Sequence, residues 1–218
     1  MRYFKFYPIG KYWKVTLRQL FKNKIYIASI NNFNDPFEGL WYDNKIGLPI
    51  HISDKNFLSR LERCGIFCMS SSSSLNFICS IKSILMWSHY ASAHQGFCIE
   101  FNDGILDASG LEFSKSVRYE DEMPDKLSQY DYDNLSYEDK RTFLFWKSKV
   151  WEYEQEMRLC FSRTNQYVDI PTGCIEGIYC GCKMNPLLKK YLKQISNKLG
   201  WKFRHLELDN KTYSFKIS

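Results

Sequence analysis

Met86-Trp87-Ser88-His89-Tyr90-Ala91-Ser92-Ala93-His94-Gln95-Gly96-Phe97-Cys98-Ile99-Glu100-Phe101 holds two different periodicities side by side. Met86, Tyr90 and His94 recur four apart, the spacing of one helix face, which predicts a helix from Ile81 to His94. Gly96 stands where a left-handed residue would end that helix. Phe97 to Phe101 then alternates as a strand. Working outward, Arg2 to Phe6, Ile25 to Ser29, 65 to 69, Tyr167 to Ile170 and Ile175 to Cys180 read as strands. Val15 to Phe21 and 55 to 63 read as short helices. Asn185-Pro186 is a helix start, a capping side chain followed by proline at the first helical position. That helix puts Leu188, Tyr191, Leu192, Ile195 and Leu199 on one face and stops at Gly200. Phe203 to Leu208 and Tyr213 to Phe215 flank an Asp209-Asn210 turn and read as a terminal hairpin. Ser70 to Ser74 reads as a loop, and Trp151 to Phe161 as a strand only after about Glu154. Helices and strands mix without a regular βαβ alternation. The expectation is α+β, a single domain over residues 1–218, with a mixed or mostly antiparallel sheet and packed helices.

Composition narrows the function classes. Of 218 residues, 44% are hydrophobic and 25% charged, as in a folded chain rather than a disordered one. No apolar run approaches the roughly 20 residues that span a bilayer, and the first residues lack a signal-peptide core, so a soluble protein without membrane association is expected. Most of the eight cysteines sit in apolar stretches. Cys180-Gly181-Cys182 alone is tightly paired, at a spacing unlike zinc ligands, so free thiols, no metal and a reducing cytoplasm are expected. Charge is uneven within the net +6. Residues 1–26 carry seven Lys/Arg and no acid, residues 102–156 a net −7, and residues 183–216 a net +7. Two basic ends around an acidic middle either bind a polyanion such as nucleic acid or attract that middle in the fold.

No glycine-rich phosphate loop, HExxH or nucleophile elbow is present. Three other clusters carry chemistry. Phe33-Asn34-Asp35-Pro36-Phe37-Glu38 is turn chemistry, yet it sets two aromatics beside two acids on a loop able to present binding groups. Met86 to Tyr90 with His94 fits a core helix, but it holds half of the four histidines, groups that bond phosphate or ribose and move protons near neutrality. In Trp151-Glu152-Tyr153-Glu154-Gln155-Glu156-Met157-Arg158, an extended chain would aim Glu154, Glu156 and Arg158 from one face. Such a set either forms an exposed ion pair of little worth or holds carboxylates tuned by each other and by the arginine.

Together these clusters resemble a bacterial and phage family known only as domain of unknown function 2971. The resemblance rests on Lys11-Tyr12, Phe33 to Glu38, Trp87 to Ala91 with His94 to Phe97, Lys147, and Trp151 to Arg158. It implies a family-like core over residues 11–180, with the basic helix and hairpin of 185–216 beyond it. A second similarity links Glu154-x-Glu156 to the Glu-x-Glu element of ADP-ribosyltransferases. It implies an ADP-ribosyltransferase-like fold and an enzyme that cleaves NAD, as its substrate, and transfers ADP-ribose to an acceptor. Under it Glu156 is the main catalytic carboxylate and Glu154 helps the acceptor, with His89 as a third catalytic group. Trp87 and Tyr90 line the nicotinamide side, Lys11 and Tyr12 supply an early basic and aromatic element, and Asn34, Asp35 and Arg158 orient ribose or phosphate. A toxin or phage-defence effector, with an antitoxin or other protein partner, fits such an activity. Two other classes stay open: a noncatalytic module for nucleic acid or a nucleotide-like small molecule, and a metal-independent hydrolase. An enzyme should gather the carboxylates and the Asn34 loop around one pocket, whereas a binding module should turn them away from a basic face.

Overall fold

The computed structural model of the chain describes residues 1–35, 37, 42–43, 48–49, 63–122 and 142–218. In chain order its principal strands are β1 (Arg2–Tyr7), β2 (Lys24–Ser29), β3 (Gly65–Ser72), β4 (Phe97–Phe101), β5 (Leu111–Ser116) and β6 (Arg118–Glu120). They continue as β7 (Trp146–Ser148), β8 (Glu156–Phe161), β9 (Gln166–Asp169), β10 (Ile175–Cys180), β11 (Lys202–Leu208) and β12 (Phe215–Ile217). The helices are α1 (Trp13–Leu20), α2 (Ile81–Tyr90) and α3 (Pro186–Leu199). Ten strands form one sheet, ordered β9-β2-β3-β1-β4-β10-β11-β12, with β8 beside β3 and β5 beside β8. Its ladders are antiparallel except β10–β11, which α3 connects as a crossover. A separate short parallel ladder joins β6 to β7. The fold is α+β in a single domain.

One feature of the sheet positions the site. β3 pairs with β8 along one edge from Gly65 to Ser70. Its other edge is shared: β2 pairs at Gly65–Ile66 and β1 at Ser70–Ser72. Between these two contacts, at Phe67 to Met69, β1 and β2 diverge and the sheet opens. Helices cover both faces. Leu17 and Leu20 of α1 and Leu192 of α3 share a core with Phe67, Phe97 and Ile99. On the other face Met86 and Trp87 of α2 pack on Phe4 and Phe6, with the Trp87 ring edge-on to Phe6 at 5.1 Å.

Several expectations are corrected. Ser70 to Ser72 is strand, not loop, because β1 and β8 flank it and satisfy its backbone despite the polar side chains. Helix α2 ends at Tyr90, and Ser92, Ala93 and His94 carry positive φ in place of Gly96. His94 therefore leaves the Met86–Tyr90 face, and its Nε2 lies 2.9 Å from Ser88 Oγ. Glu154 closes a 3₁₀ turn, Lys149–Glu154, and left-handed Gln155 (φ 47°) separates it from β8. In α3 the cap and Gly200 stand as expected, but Tyr191 and Leu199 are exposed, leaving a narrower buried stripe. The terminal hairpin pairs Leu206 to Leu208 with 215–217, two residues beyond the expected second arm. The helix expected at 55–63 falls outside the described residues apart from Arg63, as does most of the acidic 120–139 stretch.

Gly96 has a packing role instead of a conformational one. A Cβ there would stand 2.3 Å from the Tyr7 carbonyl oxygen and 2.8 Å from Ala91 Cα, both main-chain atoms that cannot swing aside. Gly96→Ala is expected to destabilise by about 1–3 kcal/mol, as overpacking does. Urea unfolding of the two proteins checks this, and an unchanged midpoint would mean the β1–α2 junction yields.

Candidate active site

Where the sheet opens lies a cavity of about 640 Å³, within the usual range for small-molecule sites. Four ionisable groups meet on its wall from separate elements. Tyr90 is the last residue of α2, Lys147 sits in β7, Glu154 ends the 3₁₀ turn, and Glu156 opens β8. Lys147 Nζ donates to Glu154 Oε2 at 2.6 Å and lies 3.6 Å from Glu156 Oε2. The Tyr90 hydroxyl donates to Glu154 Oε1 at 2.5 Å. Beneath them, fully buried Arg158 grips Glu156 with two bonds, Nε to Oε1 and Nη2 to Oε2, each 2.9 Å. Its Nη1 donates to the Leu144 carbonyl, and its guanidinium lies over the Phe33 ring at 5.1 Å. The Glu156 amide donates to the Tyr119 hydroxyl at 2.8 Å.

The left-handed Gln155 explains how two carboxylates reach one place. In a continuous strand Glu154 and Glu156 would be two rungs of one face. The turn instead folds Glu154 back so that both contact Lys147. Both side chains are buried, and two carboxylates face two cations, so no charge is left uncompensated within the set. Their environments nevertheless differ. Burial pushes the Glu156 carboxyl up, but Arg158 and then Lys147 outweigh it and hold it well below the ordinary carboxylate range. Burial pushes Glu154 up as well; Lys147 opposes this, Glu156 adds to it, and the net shift is upward. One acid is held ionised and its neighbour is made more basic. That separation of roles is how paired carboxylates divide acid–base work.

The rest of the cavity carries aromatic and basic side chains alongside Asp35, two asparagines and apolar residues. β1 contributes Lys5, the α1 region Tyr12 and Thr16, β2 Lys24 and Tyr26, and β9 Tyr167. Tyr26 and Tyr167 meet edge-on with centroids 5.2 Å apart. Since β8 and the β1–β2 pair flank β3 on opposite edges, acids and bases stand across one strand, about 10 Å apart by strand spacing. Ser70 Oγ is buried on this wall and has no hydrogen-bond partner among the described residues. Among the described residues, no cluster of three or more His, Cys, Asp or Glu side chains is placed to hold a metal.

Of the residues singled out from sequence, Tyr12, Asn34, Asp35, Tyr90, Glu154 and Glu156 line this cavity. Asp35 is buried and accepts from the Phe37 amide at 2.9 Å. Pro36 and Glu38 of the same loop fall outside the described residues. Trp87 is corrected to a core residue, since it is fully buried against Phe6. Arg158 is likewise too deep to orient a ribose or phosphate, and acts on Glu156 instead. His89 is exposed, in a ring cluster with Trp151 and Tyr153 at 6.5 Å from each, and Lys11 is exposed over the Tyr12 ring. Neither lines the cavity. Ser70 carried no signal as a site residue, being part of a serine run. Lys147 was visible only through the family resemblance.

Residues 86–159 match a family described as a protein of unknown function (DUF2971). The match takes in Tyr90, Lys147, Glu154, Glu156 and Arg158, the ionisable core of the site. No curated protein matches the chain, and no solved structure does. No helix among the described residues is long and apolar enough to cross a membrane.

Proposed function

We propose that the cleft belongs to an ADP-ribosyltransferase-like enzyme that cleaves NAD and passes ADP-ribose to an acceptor hydroxyl. The observation that carries this reading is the pair Glu154–Glu156 on one cavity wall, with opposed shifts in proton affinity. Breaking the bond between ribose C1′ and nicotinamide sends its electron pair to the ring nitrogen and leaves positive charge on the sugar. Glu156, held ionised, stabilises that charge as it develops. Glu154 takes the proton of the acceptor hydroxyl as the new C1′–O bond forms, then releases it to solvent. Tyr90 and Lys147 fix the Glu154 carboxylate in place. Lys5 and the tyrosines across β3 suit a pyrophosphate and a planar adenine. A noncatalytic binding surface has no need of buried carboxylates facing the ligand.

The test is thermal unfolding with NAD, ATP and GTP in parallel, together with nicotinamide release. NAD at a hundred times its dissociation constant is expected to stabilise by about 2.7 kcal/mol, with nicotinamide appearing when protein, nucleic acid or water is the acceptor. Stabilisation without release would favour a noncatalytic nucleotide module. The absence of both effects would overturn the assignment of NAD.

A further inference from the structure

The two basic ends of the chain meet each other. Phe21, just after α1, packs on Trp201, just after α3, with ring centroids 5.7 Å apart, and both helices share one core. Residues 1–34 contain no acid, and neither do residues 177–206. Folding therefore brings the helices of two acid-free segments onto one face of the sheet.

On α1 and its flanks the bases form a stripe. Lys11, Lys14, Arg18 and Lys22 recur at three- and four-residue spacing, all exposed, and none has an ion-pair partner among the described residues. On α3, Lys189, Lys190, Lys193 and Lys198 are likewise without an ion pair among the described residues. The contrast with other bases is informative, since Lys24 is paired with Asp169, Lys202 with Glu176, and Arg204 with Glu100. Aromatic rings are set among the unpaired charges. Tyr12 is 65% exposed beneath Lys11, Trp13 lies under Lys14 at 5.6 Å, and Tyr191 is 47% exposed on α3.

We infer that the α1–α3 face binds single-stranded nucleic acid, its lysines and arginine following the phosphates and its exposed rings stacking on bases. Phosphate contact demands unpaired cations, which this face supplies, and base stacking demands accessible rings, which a purely solvated charged face does not need. Tyr12 belongs both to this face and to the cavity rim, so a bound strand passes the cleft mouth. The inference does not depend on what the cleft does.

Fluorescence polarisation with labelled single-stranded RNA and DNA, a duplex of equal length and a series of salt concentrations tests it. Lys14→Glu/Arg18→Glu and Lys190→Glu/Lys193→Glu are each expected to weaken single-strand binding by about tenfold or more, and to lower the slope against log salt by about 1.4, two phosphates' worth. Lys82→Glu/Lys115→Glu changes net charge equally at exposed sites on other elements and is expected to leave binding nearly intact. Circular dichroism keeps loss of fold separate from loss of binding. Equal losses in all three variants would reduce the effect to net charge and overturn the inference. Tighter duplex binding, no binding at low salt, or binding only to anionic lipid vesicles would overturn it as well.

Discussion

Arg158→Ala is expected to lower the folding free energy by about 3–5 kcal/mol, the usual cost of removing one partner from a buried ion pair. Arg158 is fully buried and makes two bonds to Glu156 and one to the Leu144 carbonyl, so its loss strands a carboxylate and a carbonyl together. Arg158→Lys keeps the charge but not the planar fork, and is expected to recover only part of the stability. The pH dependence identifies the cause. Glu156 is held below the ordinary glutamate value of about 4.3, so its pairing contributes fully above that pH and is lost as pH falls through the lowered folded value. Without Arg158, a buried Glu156 takes up its proton more readily and stops penalising the fold in acid. The gap between wild type and variant should therefore be widest near neutrality and close only as pH falls to about 2, where the wild-type pairing is itself lost. Urea titrations at both pH values measure it. A neutral-pH gap under about 1 kcal/mol, the worth of a surface pair, would show that the pair is not the anchor of the site.

How much of this was legible beforehand depended on whether the deciding contacts are local. The strand at Phe97–Phe101, the cap at Asn185-Pro186 and the stop at Gly200 follow from nearest neighbours, and the sequence pattern carries them. Ser70 to Ser72 became strand through β1 and β8, which are remote in sequence, and no local propensity reports them. Burial was the larger blind spot. An alternation of Glu154, Glu156 and Arg158 reads equally as a solvated edge or a charged interior, and the register of β8 between β3 and β5 decides for the interior. That decision reverses one expectation: a Glu156 side chain near solvent would be nearly neutral to folding when changed, whereas the buried one is not. Trp87 and His89 show the same limit from the other side. Both lie on the turn of α2 that precedes Tyr90, and the helix aims Tyr90 at the cavity, Trp87 into the core and His89 outward.

Glu154→Gln is the sharpest test of the chemistry, because it leaves the Glu156–Arg158 pair intact. It removes the charge of the nearer carboxylate beside buried Lys147 and leaves Glu156 at 3.6 Å, so its rate is read where circular dichroism shows it folded. If Glu154 is the base, transfer to a hydroxyl acceptor is expected to slow by about 10²–10⁴-fold, the range for a lost general base. Affinity for NAD should change little, since the proton moves only in the transition state. In the wild type the rate should rise with pH through an apparent value above that of an ordinary glutamate, because burial has raised this carboxyl. The variant should lose that limb. Glu156→Gln should slow bond cleavage by a hundredfold or more, as removing one preorganised electrostatic group does, but it also leaves Arg158 buried without its anion. Its rate must therefore be read where circular dichroism shows it folded. The two profiles separate the roles: loss of the pH limb in Glu154→Gln alone marks the base, and a pH-independent loss in Glu156→Gln marks the charge stabiliser. If both variants turn over NAD as fast as wild type, the paired carboxylates serve the fold and not the reaction.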